Sequence, residues 1–246
     1  MHTLMFDIVI LLCGRIEQTA LAALLRRQNP RLTLRPVQTL AELEALPQTE
    51  LRRARLIAFL TPVIVPAPIL DTLGYGAYNF HPGPPQYPGW LPSYFAVYDG
   101  VARFGATAHR MVERVDAGPI VSVAYFDVAP NTSPVALEQR ALVELARLFW
   151  QLSAALATQS EPLPTLPVTW SGRKSTRRDF ADACDIAPDI GSNELAKRLA
   201  AFGSGAFGVH PTITLHGHRF RYVPPEPDTA AEAAPPAAPT RKSSAA

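Results

Sequence analysis

Residues 75–90 read Y-G-A-Y-N-F-H-P-G-P-P-Q-Y-P-G-W, and residues 104–121 read F-G-A-T-A-H-R-M-V-E-R-V-D-A-G-P-I-V. The short apolar run from Gly76 to Phe80 is expected to form a strand. Residues two apart on a strand share a face, so Asn79 and His81 emerge side by side where it stops. Pro82-Gly83-Pro84-Pro85 can neither prolong the strand nor open a helix, and the chain must turn and leave that strand end open. Gly105 to Met111 has a second β-like pattern, with Thr107 and His109 alternating with Ala106 and Ala108. Behind it, Asp116 sits in the turn sequence V-D-A-G-P. An amide, an imidazole and a carboxylate at neighbouring strand ends form a group able to handle protons.

Outward from this centre the chain alternates. Phe6 to Cys13 is continuously apolar, as a strand buried on both faces is. Thr19 to Gln28 has a helical stripe with Arg26 and Arg27 at its end. Leu32 to Val37 is a second strand, Thr39 an N-cap with Glu42 three residues on, and Arg55 to Leu60 a third strand. Ile69 to Leu73 is a short helix. Pro92 and Gly100 bound another, Ile120 to Val128 is a strand, and Val135 to Leu156 a long amphipathic helix. Strand–helix alternation of this kind implies an α/β chain with a mostly parallel, doubly wound sheet and helices on both faces. Cys13-Gly14-Arg15 lacks the G-x-G-x-x-G phosphate cradle, so no nicotinamide dinucleotide is expected. Glu161 to Pro164 is a linker. Short strands at Val168 to Trp170 and Thr212 to His216, and a helix from Asn193 to Phe202 capped by Ser192, make a small α+β C-terminal extension. The expected organisation is 1–160, 165–223, and a Pro/Ala-rich disordered tail over 224–246.

The 246 residues are 48% hydrophobic and 18% charged, with net charge +2. That allows a large core and argues against a nucleic-acid partner. Arg173 to Arg178 is a basic cluster, read as a solvated loop. Cys13 and Cys184 have no metal-ligand spacing and are expected as buried free thiols in a reducing compartment. Ile8 to Cys13 is too short for a membrane span or a signal segment. The expectation is a cytoplasmic chain with no membrane partner; a homodimer is left open.

A carboxylate beside a histidine favours the imidazolium, and an amide N–H suits an oxygen that gains negative charge. Together they fit acyl transfer to an amine. Ser93 and Ser122 lack a nucleophile-elbow context, so a covalent acyl-enzyme is not expected. Two alternatives stand beside this: the three residues serve turn backbone and core packing, or His81, His109 and Asp116 hold zinc, although no H-x-x-x-H or C-x-x-C supports a metal.

The run Asn79-x-His81-Pro82, a proline-rich loop, and then Asp116-x-Gly118-x-Ile120 resembles the 10-formyltetrahydrofolate-dependent formyltransferases. That family includes glycinamide ribonucleotide, methionyl-tRNA and sugar-nucleotide formyltransferases and the formyltetrahydrofolate deformylase. The resemblance implies a Rossmann-like formyltransferase sheet, with 10-formyltetrahydrofolate as co-substrate, no metal, and a small-molecule amine as partner. It implies catalytic roles for Asn79, His81 and Asp116: the first two on the formyl oxygen, Asp116 keeping His81 charged and helping to take the amine proton. Val63, Ile64 and Val65, with Val115 and Gly118, would grip the folate. Gly83, Tyr87 and His109 would face the amine. The family often has Ser-Leu-Leu-Pro after His-Pro where this chain has Gly83-Pro84-Pro85-Gln86, in the loop that meets the acceptor. The segment from Thr165 to Val223 is short for the tRNA enzyme and more like the appendages of sugar-nucleotide enzymes. An amino-sugar nucleotide is thus one acceptor implied. Hydrolysis of the folate, or folate binding without turnover, are the other functions consistent with the pattern.

Overall fold

The computed structural model describes residues 6–224; most of the tail expected to be disordered lies outside them. The chain order is β1 (Ile8–Leu12), α1 (Arg15–Gln28), β2 (Thr33–Val37), α2 (Leu40–Glu44), α3 (Gln48–Leu51), β3 (Ala54–Phe59), α4 (Ala67–Thr72), β4 (Ala77–His81), α5 (Pro92–Asp99), β5 (Arg103–Arg110), β6 (Ile120–Asp127), α6 (Pro134–Thr158), α7 (Arg177–Cys184), β7 (Asp185–Ile186), α8 (Ser192–Phe202), β8 (Thr212–Leu215) and β9 (His218–Arg221). Six strands form one sheet in the order β2-β1-β3-β4-β5-β6, and three form a second in the order β7-β8-β9. β1 to β4 run parallel, while β5 and β6 are antiparallel to their neighbours. This is the mostly parallel α/β sheet with a small α+β extension that the alternation implied.

Alternation along β1 sends Val9 and Leu11 to one face and Ile8, Ile10 and Leu12 to the other. The first set packs with residues of α1 and α6, the second with residues of α2, α3 and α4. Both faces are therefore dry, which is why β1 and β3 are wholly buried. β3 contains an interruption, Arg55, with no exposed surface. Its guanidinium donates to the carbonyls of Tyr75, Ala155, Leu156 and Glu161 and lies over the rings of Phe6 and Tyr78. It thus supplies a donor to the Leu156 carbonyl, which the end of α6 leaves without a backbone partner, and shares the Ala155 carbonyl with the Gln159 N–H. Burial lowers its pKa from the ordinary arginine value.

Several boundaries differ from expectation. α1 starts four residues earlier, at Arg15, with Gly14 as N-cap. α8 is capped at Gly191 rather than Ser192. The basic cluster is not a plain loop: Thr176 and Asp179 form a reciprocal capping box, and α7 begins at Arg177. Val168 to Trp170 is not a strand but irregular chain that crosses back toward the main sheet. The extension's core is shared, since Phe180 and Phe202 pack with Tyr94, Phe95 and Tyr98 of α5. Cys13 and Cys184 are free and buried, and burial pushes their thiols up to about 12 and about 11. No helix among the described residues is long and apolar enough to cross a membrane.

Candidate active site

Along β4, Tyr78 and Phe80 enter the core beneath α1 and α6, so Asn79 and His81 take the opposite face. β5 runs antiparallel beside it, with Asn79 opposite His109 and His81 opposite Thr107. Directly opposed residues of an antiparallel pair project on the same side. Asn79 Nδ2 accordingly lies 3.2 Å from His109 Nε2. After β5 the chain folds back on itself, closed by Arg110 N–H donating to the Pro119 carbonyl at 2.9 Å. A Cβ on Gly118 would sit 1.9 Å from the Arg110 carbonyl oxygen, so the turn demands glycine there. Asp116, at φ 48°, swings its carboxylate inward. Oδ1 is 3.3 Å from His109 Nε2 and 3.5 Å from Asn79 Nδ2. Oδ2 is 3.5 Å from His81 Nδ1 and accepts the Gly89 N–H at 2.8 Å.

The proline-rich loop is fastened from both sides. Thr107 Oγ1 donates to the Gly83 carbonyl at 2.8 Å, and His81 Nε2 lies 2.9 Å from the Tyr87 carbonyl. On its far side Trp90 N–H donates to Ser175 O, and Ser175 N–H to Pro88 O. Trp170 then closes the top. Its ring meets the edges of His109 and His81 at centroid distances of 4.9 and 5.8 Å, and its Nε1–H donates to the Gly118 carbonyl at 2.8 Å. His81, His109 and Asp116 are buried, whereas Asn79 is partly open.

Burial dominates the electrostatics of His81. It lowers the pKa from 6.5, and the nearby Asp116 and the Tyr87 carbonyl pull upward without reversing it; His109 adds to the lowering. Burial thus opposes the charge that Asp116 was expected to keep on His81. Removing an imidazolium from water costs more here than one carboxylate at 3.5 Å returns. The Tyr87 carbonyl requires a proton on Nε2, so neutral His81 turns its Nδ1 lone pair toward Asp116. For Asp116 burial works to raise the pKa, but His81, His109 and the Gly89 N–H outweigh it and hold the carboxyl well below the usual range. Asp116 is thus a carboxylate beside an imidazole on which burial disfavours charge.

Asn79, His81 and Asp116 thus meet, and His109, expected to face the acceptor, sits among them. Gly83 is corrected: it is buried, and a Cβ there would lie 2.7 Å from His81 Nε2 and 2.9 Å from Pro92 Cβ, so it permits close packing rather than offering a surface. Tyr87 faces outward, its hydroxyl donating to Asp99 Oδ2 at 2.7 Å. Ile64 is 65% exposed, Val65 buried and Val115 37% exposed. Among the described residues the peptide groups of Ile64 and Val65 have no partner. Gly118 is buried, with its carbonyl taken by Trp170, which leaves it no open surface toward a ligand. Trp170 and Thr107 escaped the sequence reading. Thr107 was visible as T-x-H, but nothing local marks Trp170, which arrives from the linker.

A sheet of this order, with such a cluster at the carboxyl end of β4, defines a formyltransferase-type fold. Residues 53–151 match the family described as formyl transferase. Methionyl-tRNA formyltransferase of Thermotoga neapolitana is 33% identical over 128 residues, which are 46% of this chain and 41% of that protein. The match thus spans well under half of that relative's length. A sugar N-formyltransferase from Shewanella sp. superposes with a TM-score of 0.72 at 16% identity, over 89% of this chain and 96% of the other. An N-formyltransferase from Helicobacter canadensis, solved with folinic acid and dTDP-3-aminofucose, gives 0.60 at 15% identity, over 85% and 86%.

Proposed function

We propose that this chain transfers a formyl group from 10-formyltetrahydrofolate to a primary amine, one candidate acceptor being an amino-sugar nucleotide. The observation that carries this is the buried carboxylate of Asp116 touching two imidazoles and the one partly open amide, Asn79. The amine attacks the formyl carbon, and the oxygen that becomes an oxyanion is met by Asn79 Nδ2–H. The attacking nitrogen then carries an extra proton, which passes to His81 Nδ1. The imidazolium so formed lies beside the Asp116 carboxylate, an attraction absent in the resting state and therefore specific to the charged transition state. Collapse of the intermediate breaks the bond to the folate nitrogen, which takes that proton as tetrahydrofolate leaves. The free peptide groups of Ile64 and Val65 and the flank of Val115 suit the folate's ring edge. His109 and Trp170 hold the carboxylate and the turn in place.

The space beside the loop, which Asn79, His81 and Asp116 do not line, suits the remote end of an amine acceptor. A cavity of about 470 Å³ is lined by Gln86, Tyr87 and Pro88 on one side and Arg173, Ser175 and Arg198 on the other, far more than a water requires. The test is tetrahydrofolate release from 10-formyltetrahydrofolate with and without a panel of amino-sugar nucleotides and simple amines. Release dependent on one amine, with formamide product, is expected. Equal release without any amine means hydrolysis, and folate binding without release means a silent homologue.

A further inference from the structure

We propose that the C-terminal extension holds a second ligand site, remote in sequence from the Asn79–Gly118 cluster, that binds a small phosphorylated molecule of nucleoside diphosphate size. The segment Thr212-Ile213-Thr214-Leu215 and its partner His218-Arg219-Phe220-Arg221 alternate, and alternation sorts them by face. The register pairs Thr212 with Arg221 and Thr214 with Arg219, so two hydroxyls and two guanidiniums form a square on one side of the hairpin. Ile213 and Phe220 take the other side. β7 adds Asp185 to the Thr212 rung.

This face is not flat. With Ala181 and Cys184 of α7, and with Gly208, Val209 and His210 of the preceding turn, it lines a cavity of about 570 Å³. That is far larger than a phosphate ion and falls within the range of small-molecule sites. Its polar groups are uncommitted. Arg219 Nη2 takes only the Thr212 hydroxyl, at 3.3 Å. The Arg221 guanidinium has no hydrogen-bond or ion-pair partner among the described residues, and the Asp185 carboxylate makes no ion pair there. Two guanidiniums two residues apart on one strand stand about 7 Å apart at the backbone, close enough to close on one phosphate or span two joined ones. Guanidinium forks bind phosphate oxygens in pairs. Thr212 and Thr214 add hydroxyl donors, and His210 adds a ring nitrogen. Asp185 repels a bare anion but accepts from a hydroxyl, so the lining suits a ligand with a phosphate end and a hydroxyl-bearing end.

The experiment is calorimetric titration of the full chain with inorganic pyrophosphate, a nucleoside diphosphate and a sugar monophosphate at matched ionic strength. The double variant Arg219→Gln/Arg221→Gln is compared with a charge-matched control, Arg26→Gln/Arg27→Gln on α1. Asp185→Ala separates the two ends of the ligand. Saturable binding of the nucleoside diphosphate or sugar phosphate is expected, weakened about tenfold or more by the double variant at unchanged melting temperature. The control should bind as the parent does, and Asp185→Ala should weaken the hydroxyl-bearing probes but not pyrophosphate. Absence of saturable binding by any probe overturns the proposal. So does equal weakening in the control, which would mean diffuse electrostatic attraction. If the double variant loses its fold, Thr214→Val decides: unchanged affinity for every probe counts against the site.

Discussion

Replacing Asp116 by Asn keeps an acceptor for the Gly89 N–H but removes the negative charge beside His81. The imidazolium that forms when His81 takes the amine proton would then stand uncompensated in a buried place. Turnover should fall by about 10²- to 10⁴-fold, while folate affinity, measured by fluorescence titration, changes little. Loss of both in parallel would mean that Asp116 only holds the turn. The pH profile carries a second expectation. His81 works as a base, so kcat/KM should fall as pH drops through its depressed pKa, with the acid limb below 6.5. Stability moves the same way. The unfolded chain takes up a proton at 6.5 where the native one resists it, so the native state starts to weaken below that pH. Asp116, held low, adds stability that is complete above 3.8 and is lost progressively as the pH falls below it. Asn79, His81 and Asp116 were legible because strand alternation and turn residues are local signals. His109 was named there only as an acceptor-side residue or a metal ligand; its place against Asn79 depends on β5 lying beside β4 in one particular register. The burial of His81 was not legible either, because burial cannot be seen in neighbouring letters.

At the scale of elements, α5 shows what the chain writes plainly. Pro92 opens it and Gly100, at φ 66°, closes it, as the fixed φ of proline and the missing Cβ of glycine dictate. α7 shows the opposite case. Its eight residues bury only Phe180 and Cys184, too few to raise an apolar stripe above its four charges. α6 depends on something its own sequence does not contain. The Arg55 guanidinium, from β3, bonds carbonyls at and beyond its end. Arg55→Met would preserve much of the side-chain volume yet leave the buried Leu156 carbonyl without its donor, so it should lower the unfolding free energy by about 1–3 kcal/mol. Urea denaturation measures this. A change under about 1 kcal/mol would mean that solvent reaches those carbonyls and the arginine is incidental.

At the scale of the molecule, the extension and the main sheet share one aromatic cluster. Phe202 is 1% exposed, with its ring 5.2 Å from Phe180, 5.5 Å from Phe95 and 5.8 Å from Tyr98. Only Phe180 belongs to the extension; the other two ride on α5, directly after the loop that fastens His81 and Asp116. The extension's second anchor is Ser175, whose backbone pairs with Pro88 and Trp90. A short C-terminal piece that cannot bury a core alone is thus completed by the catalytic side, and the loop in turn is braced from outside. Phe202→Ala should cost about 3–5 kcal/mol. Because the cavity opens under α5, the loss should appear in one cooperative transition, followed equally by far-ultraviolet dichroism and by Trp170 fluorescence in a Trp90→Phe/Trp150→Phe background, since Trp90 packs on Phe180 itself. Two separate transitions, with the fluorescence change arriving only in the later one, would mean that the extension melts on its own and leaves the Asn79–His81–Asp116 cluster standing without it.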